Sequence, residues 1–211
     1  MPDQSPTDSE YSGKWRSRGY LPHFHADNVI QHVTIHLADG LPIKALKEID
    51  ELIAAYPEDL RAVERRKRIE ALVDSGIGSC VLRNPGIARM VQDSLLFFDQ
   101  ERYRLFSWVI MPNHVHVLFQ TIPPWETWDV VDSWKKWTAR KINDFFRSAG
   151  QPSRRVWIRE YWDRFIRDER HMQNVVNYIH YNPVTAHLVA TPEEWAWGSA
   201  RLMKPEGNTA S

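Results

Sequence analysis

The sequence predicts an α+β domain built around an antiparallel sheet, and two local patterns carry this prediction. Residues 29–37 alternate between apolar and polar side chains, which is typical of a strand with one buried face. Residues 103–111 and 114–121 form two further strand-like runs, separated only by Pro112 and Asn113, and so predict a hairpin. The segments between these strands carry apolar residues at helical spacing.

Two helices are predicted between the first strand and the hairpin, over about 42–56 and 58–74, with Pro57 interrupting the helical pattern between them. Together they make residues 41–74 a helical insertion after the first strand. The second of these helices carries a run of arginine and lysine at 61 and 65–68. Such a run is most simply a solvated helix face.

The rest of the chain supplies one more strand and three more helices. They are a helix that begins at Asn84-Pro85, a long helix over about 125–148, a short strand within 157–166 and a final helix over 169–181. The final helix should end near Asn182, because the residue before a proline such as Pro183 is disfavoured in the helical region.

The resulting order of strand, helices, strand, strand, helix, strand and helix is that of a ferredoxin-like split βαβ fold. We expect an antiparallel sheet of four to five strands with helices on one face, which leaves the second face for function. A single domain is expected over residues 13–200. Residues 1–12 and 201–211 are expected to be disordered ends, the first being rich in Asp, Ser and Pro without periodicity.

The formal net charge of zero argues against a nucleic-acid partner, but the charge is unevenly distributed. Residues 134–170 contain eleven Lys or Arg against five Asp or Glu, interleaved with aromatic side chains. Aromatic faces beside cations suit single-stranded nucleic acid. The same composition also fits an amphipathic helix with an aromatic core side and solvated cations.

Cysteine usage and hydropathy set the expected compartment. Cys80 is the single cysteine, so no disulfide can form within the chain. No stretch approaches the length of a membrane span, and residues 1–10 contain no apolar segment. We therefore expect a cytoplasmic protein with no membrane partner.

Two pairs of residues carry the candidate chemistry. His114 and His116 lie two apart on a strand, on the face opposite Val115, Val117 and Phe119. Tyr178 and Asn182 lie four apart and share one helix face. Two imidazoles and an amide oxygen could bind a divalent metal, and a phenol could attack a phosphate beside it.

Histidine pairs at this spacing are also common as polar surface, and other histidines need weighing. His23 and His25 have the same spacing, but they follow a proline in a segment without strand alternation. His32 and His36 lie on the polar side of the first strand, where they could border the same site or be surface residues.

Three ordered segments resemble successive motifs of the single-tyrosine transposases, which belong to the HUH endonuclease superfamily. The segments are 111–118 (MPNHVHVL), 161–168 (YWDRFIRD) and 178–184 (YIHYNPV). The resemblance is strongest to the REP-associated tyrosine transposases, whose start is also similar to residues 18–24 (RGYLPHF) and 31–34 (QHVT). The similarity runs through most of residues 14–200.

The resemblance implies the role of each candidate residue. Tyr178 matches the nucleophile that forms a 5′-phosphotyrosyl bond with single-stranded DNA, whereas Tyr181 matches no nucleophile of the family. His114 and His116 match the metal pair, and Asn182 falls where the family has a third ligand for Mg²⁺ or Mn²⁺. The implied activity is cleavage and rejoining of single-stranded DNA at repeat hairpins, as in DNA transposition and recombination.

Two other functions stay open at this stage. One is a domesticated, non-catalytic protein that binds single-stranded or hairpin DNA. The other is a metal-dependent phosphodiesterase in which Tyr178 only contacts the substrate. Relatives include monomers and homodimers, and the insertion at 41–74 could shape DNA selection, contact a partner or do neither.

With the resemblance, the basic aromatic segment is expected to line a DNA groove. The expected phosphate contacts are Lys135, Lys136, Arg140, Arg154 and Arg155. A basic arm of Lys14, Arg16 and Arg18 is expected to add a second contact, because the family's N-terminal segment is thought to help bind hairpin DNA.

Overall fold

The computed structural model of this chain describes residues 13–17 and 22–202. The expected disorder of residues 1–12, most of the expected tail and the expected DNA contact Arg18 lie outside the described residues. Arg201 and Leu202 are described and end a short 3₁₀ helix, Ser199–Leu202. In the part of the chain that is described, no helix has the length and apolar character needed to cross a membrane.

Six strands and five α-helices are described. The strands are β1 Lys14–Ser17, β2 Pro22–His25, β3 Ile30–His36, β4 Tyr103–Ile110, β5 His114–Thr121 and β6 Trp162–Phe165. The helices are α1 Ile43–Ile53, α2 Glu58–Asp74, α3 Pro85–Leu96, α4 Thr127–Ser148 and α5 Glu169–Thr185. β3 to β6 form an antiparallel sheet in the order β4-β5-β3-β6, so the predicted α+β class and split βαβ order are confirmed.

Alternation along β5 decides which face of the sheet becomes the main core. Val115, Val117 and Phe119 point to one face, where they pack in a cluster with residues of α3 and α4 such as Val91 and Trp134. The turn of the predicted hairpin is closed by the backbone N–H of Met111, which donates to the carbonyl of His114 at 2.8 Å.

The second face of the sheet also carries helices, which differs from the expected arrangement with helices on one face only. Leu118 shares this face with His114 and His116, and it packs against Val175 and Ile179 of α5. The α1–α2 pair, which lies within the predicted insertion, packs its own apolar cluster against Trp162 of β6. The second face has apolar residues of its own to bury, so the site lies between helices rather than on an open surface.

Helix α5 does not end near Asn182 but continues through Pro183 to Thr185. The proline lacks one N–H donor, yet the next turn stays closed because Ala186 N–H donates to the Asn182 carbonyl at 3.0 Å. Ala186 and Leu188 also pack in the same cluster as Ile179. Tertiary packing therefore outweighs the local effect of proline, and Asn182 is a buried residue inside the helix.

The segment before β3 forms strands that the sequence does not predict. β1 and β2 pair as a separate antiparallel ribbon, which buries Phe24 against Phe165 of β6. The predicted strand within 157–166 is shorter than expected, because regular pairing is confined to β6 and a single bridge between Leu37 and Trp157.

Candidate active site

Four polar side chains from three elements converge on the second face of the sheet. They are His114 and His116 of β5, Asn182 of α5 and Asp74, the last residue of α2. The candidate ligand atoms of Asp74, His114 and His116 all lie within 4.8 Å of one another. Asn182 Nδ2 lies 3.5 Å from His116 Nε2, and Asp74 Oδ1 lies 3.6 Å from His114 Nε2.

Two of these side chains have buried atoms without a hydrogen-bond partner among the described residues. They are Nε2 of His114 and Oδ1 of Asn182. A buried acceptor left unpaired costs about 1–3 kcal/mol, so such atoms need an explanation. Rotation of the Asn182 amide exchanges its oxygen and nitrogen, which lets the oxygen face His116. Both atoms are of the kind that binds a divalent cation, and the residues present therefore fit a metal ion.

Hydrogen bonds fix which nitrogen each imidazole presents to the site. His114 Nδ1 lies 2.8 Å from Asn113 Oδ1, and because an amide oxygen only accepts, Nδ1 carries the proton and Nε2 keeps its lone pair. His116 Nδ1 lies 3.0 Å from Thr34 Oγ1 and 3.2 Å from His32 Nε2. In both imidazoles Nε2 is therefore the candidate ligand atom.

Burial keeps both imidazoles neutral. It lowers the pKa of His114 to about 3, and it lowers that of His116 well below its ordinary value, an effect increased by neighbouring histidines. Neutral imidazoles are the form that binds metals, so at neutral pH no proton has to leave either histidine before a cation can bind.

Asp74 is a functional candidate that the sequence analysis missed. Its position depends on Asn113, whose Nδ2 donates to the carbonyls of Val73 at 2.8 Å and Ile77 at 3.0 Å. Burial raises the pKa of Asp74 to about 6, and a hydrogen bond with Asn182 partly opposes that rise. No local sequence signal marks this residue, because an aspartate at a helix end two residues before a glycine is commonplace.

Tyr178 lies on the same face of α5 as Asn182, with its hydroxyl 3.5 Å from His116 Nε2. Burial raises the pKa of the phenol, and the charges of Asp74 and Glu70 add to the rise, whereas Arg66 lowers it. The phenol is therefore protonated at neutral pH in this state. Tyr181 lies three residues further along the helix, and its side chain is 55% exposed, against 37% for that of Tyr178.

The four other histidines weighed in the sequence divide into two groups. His32 contacts His116, and His36 packs edge-on against Trp162 with its ring centre 5.9 Å from that of His114, so both border the site. His23 instead pairs with two carboxylates, and His25 Nδ1 lies 3.2 Å from the Thr127 hydroxyl.

The predicted DNA contacts of α4 lie across the sheet from Tyr178, because α4 packs on the opposite face. Lys135 is buried, and its ammonium group donates to the Arg159 carbonyl at 2.6 Å. Lys136 Nζ lies 3.8 Å from Asp132, and Arg140 is exposed. The sheet therefore separates these three cations from the candidate nucleophile.

The other predicted DNA contacts are also engaged in contacts within the chain. The Arg154 guanidinium stacks 4.0 Å from the Phe146 ring centre, and Arg155 Nε donates to the Trp157 carbonyl at 3.1 Å. The predicted N-terminal arm lies near the start of α4. Lys14 pairs with Glu126 at 2.7 Å, and the guanidinium of Arg16 lies 5.2 Å from the Trp128 ring centre.

A different set of cations borders a cleft of about 600 Å³ beside Tyr178, between α2, β6 and α5. Arg66 and Lys67 of the insertion line this cleft together with Arg164 of β6. From the sequence alone, Arg66 and Lys67 are expected to belong to a solvated helix face. Only the tertiary structure shows that this face meets Tyr178.

Comparison with known proteins shows which proteins this fold and site resemble. Residues 91–182 match the family model described as "Transposase IS200 like". The match begins in α3, contains His114, His116 and Tyr178, and ends at Asn182. It supports the resemblance to the single-tyrosine transposases.

Two similar proteins are both described as REP-associated tyrosine transposases. A curated REP-associated tyrosine transposase homologue of Haemophilus influenzae is 27% identical over 101 residues, which are 43% of this chain and 54% of the relative. The match thus spans about half the length of that relative. A solved REP-associated tyrosine transposase bound to a REP hairpin has a TM-score of 0.55 and 14% identity, covers 89% of this chain and 88% of its own, and shows the same fold. The expected resemblance to REP-associated tyrosine transposases is confirmed.

Proposed function

We propose that this protein cleaves and rejoins single-stranded DNA at repeat hairpins through a covalent 5′-phosphotyrosine intermediate on Tyr178. The observation that carries the proposal is the position of the Tyr178 hydroxyl, 3.5 Å from His116 Nε2, beside the unpaired ligand atoms of His114 and Asn182. The match to the IS200-like transposase family supports the same activity. The choice of repeat hairpins follows the DNA bound to the solved relative.

The metal ligands in this proposal are His114, His116 and Asn182, with Asp74 as a fourth. Carboxylate and amide oxygens favour hard cations, whereas imidazole favours softer ones, so this mixed set suits Mn²⁺ as well as Mg²⁺. These residues would hold a divalent ion, and the chemistry that it would supply is Lewis-acid stabilisation of the charge that develops on the scissile phosphate.

Tyr178 supplies the covalent step. Its phenolic oxygen attacks the scissile phosphorus, the bond from phosphorus to the 3′ oxygen breaks, and that oxygen leaves as a free 3′-hydroxyl. The phosphotyrosyl bond keeps the energy of the broken linkage, so a 3′-hydroxyl can attack it, restore the phosphodiester and release the phenol. Because burial keeps the phenol protonated, its proton has to leave as the new bond forms.

The test uses a labelled hairpin with single-stranded flanks, incubated with the protein and Mn²⁺ or Mg²⁺. A covalent protein–DNA adduct on a denaturing gel is expected for the wild type and for Tyr181→Phe, but not for Tyr178→Phe. Tyr181→Phe is a matched control because it removes a phenol three residues along the same helix.

Two results would contradict the proposal, and each supports a different function. Cleavage that persists in Tyr178→Phe without an adduct would indicate a hydrolytic phosphodiesterase. DNA that is bound but never cut with either metal would indicate a non-catalytic DNA-binding protein.

A further inference from the structure

The cleft beside Tyr178 is lined by cations from two elements and by exposed apolar surface. Arg66 and Lys67 of α2 form one wall, and Arg164 of β6 lies on the other. The lining also includes one acidic residue, Glu70, and apolar side chains, of which Val63 of α2 is 66% exposed. An exposed valine beside cations makes the surface amphipathic rather than uniformly polar.

The positive charge of this cleft is only partly neutralised within the chain. Among the described residues, no carboxylate lies within salt-bridge distance of Lys67 or Arg164. Arg66 pairs with Glu70 one turn further along the same helix, at 2.9 Å. Burial lowers the pKa of Arg164, the nearby charge of Arg66 lowers it further, and the charge of Glu70 partly opposes both. An anion placed between Arg66 and Arg164 would relieve the repulsion between them.

The spacing along α2 links this wall to the metal site. Arg66, Glu70 and Asp74 follow one another at intervals of four residues, so they form a single stripe along one face of the helix. Asp74 is the last residue of the stripe and lies next to His114, whereas Arg66 lies about two helical turns earlier and borders the cleft. One helix face thus borders the candidate metal ligands at one end and a basic cleft further along.

We infer that this cleft binds the sugar–phosphate backbone of single-stranded DNA next to the scissile phosphate, with Arg66 and Lys67 on one wall and Arg164 on the other. The inference rests on the proposed function, since Tyr178 marks where the scissile phosphate lies. A single strand fits better than a duplex, because its unstacked bases can cover the exposed apolar part of the lining while its phosphates meet the cations. The helical insertion is therefore a DNA-binding element.

Equilibrium binding of fluorescein-labelled oligothymidylate over a series of salt concentrations tests the inference. Binding is measured in the Tyr178→Phe protein, so that no covalent chemistry contributes. For single strands the slope of log affinity against log salt is about −0.7 per phosphate contact, so Arg66→Gln with Lys67→Gln should reduce its magnitude by about 1.4. Arg164→Gln alone should reduce it by about 0.7.

The matched control is Lys44→Gln with Lys47→Gln, which removes two charges from exposed positions on α1 of the same insertion, outside the cleft. This variant should keep the parent slope and affinity. Arg164→Gln provides a second test on the sheet, independent of any change in the stability of α2.

The possible outcomes distinguish a failure of the cleft inference from a failure of the proposed catalysis. An unchanged slope and affinity in both cleft variants overturns the inference, even if wild-type protein forms the tyrosyl adduct. A reduced slope together with no adduct from wild-type protein supports the cleft and contradicts the proposed catalysis. Equal losses in the cleft and α1 variants also overturn the inference, because the effect would then follow total charge rather than position.

Discussion

Asn113 and Val73 are joined across forty residues of sequence by a hydrogen bond, in which Nδ2 of Asn113 donates to the Val73 carbonyl at 2.8 Å. The oxygen of the same amide lies 2.8 Å from Nδ1 of His114. One side chain therefore sets the proton position on His114 and holds the end of α2, which carries Asp74. The asparagine that precedes the histidine pair thus organises the site without being a ligand.

Asn113→Asp should separate these two roles. The carboxylate keeps an acceptor for His114, but it cannot donate to the carbonyls of Val73 and Ile77. We expect Mn²⁺ affinity to fall by about 10–100-fold, the usual effect of losing a residue that orients a ligand. Asn113→Ala loses both roles and should bind more weakly still. Calorimetric titration with Mn²⁺ measures both, and wild-type affinity in Asn113→Asp would show that anchoring α2 does not matter for binding.

Asp74→Asn should have opposite effects on metal affinity and on stability without metal. Mn²⁺ affinity should fall by about ten-fold or more, since even outer partners of a metal site contribute that much. Without metal, the free energy of unfolding at neutral pH should rise. The pKa of Asp74 is about 6 in the folded protein against 3.8 as a reference, so its ionised form destabilises the fold above that range.

Glu70→Gln is the control for Asp74→Asn, because Glu70 lies one turn earlier on the same face of α2 and outside the candidate ligand set. Its Mn²⁺ affinity should stay close to that of the wild type. A loss of affinity equal to that of Asp74→Asn would mean that the general negative charge of α2 attracts the cation and that Asp74 is not a ligand.

The hairpin and the side on which its histidines lie could be predicted because strand alternation is a local property. Val115 and Val117 mark the core face, so His114 and His116 follow on the other. Asp74 could not be predicted in this way, because only the packing of α2 brings it to the site. The hydrogen bond that holds it there has no counterpart in local periodicity.

Two other predictions from the sequence differ from the structure for the same reason, which is that tertiary packing is not visible in local sequence. The prediction that α5 ends before Pro183 applies a local backbone preference, which the packing of Leu188 beside Ile179 outweighs. The interpretation of Arg66 as solvated was reasonable for an isolated helix. Charge and spacing show that a helix has a polar face, but they do not show what that face meets.

Lys135→Met should destabilise the fold, whereas Lys136→Met should not. Lys135 is buried and donates to the Arg159 carbonyl, and a hydrogen bond from a charged group is worth about 1.5–3 kcal/mol. Lys136 is exposed, and its pairing with Asp132 at 3.8 Å should change the free energy of unfolding by less than about 0.5 kcal/mol. Urea unfolding of the two variants measures the difference. Reduced DNA affinity at unchanged stability in Lys135→Met would instead support the predicted phosphate contact.

His23 should make stability depend on pH, because it lies between two carboxylates. Nδ1 is 2.6 Å from Asp163 Oδ1, and Nε2 is 3.0 Å from Glu160 Oε2. Burial alone would lower the pKa of His23, but the hydrogen bonds and charges of Asp163 and Glu160 outweigh it and raise the pKa above 6.5. The folded state therefore holds the proton more tightly than the unfolded chain, and this stabilisation is fully present below pH 6.5 and lost as the pH rises through the raised value. Urea unfolding on both sides of that range should show a larger loss of stability with rising pH in the wild type than in His23→Gln, and parallel profiles would show that the proton on His23 does not stabilise the fold.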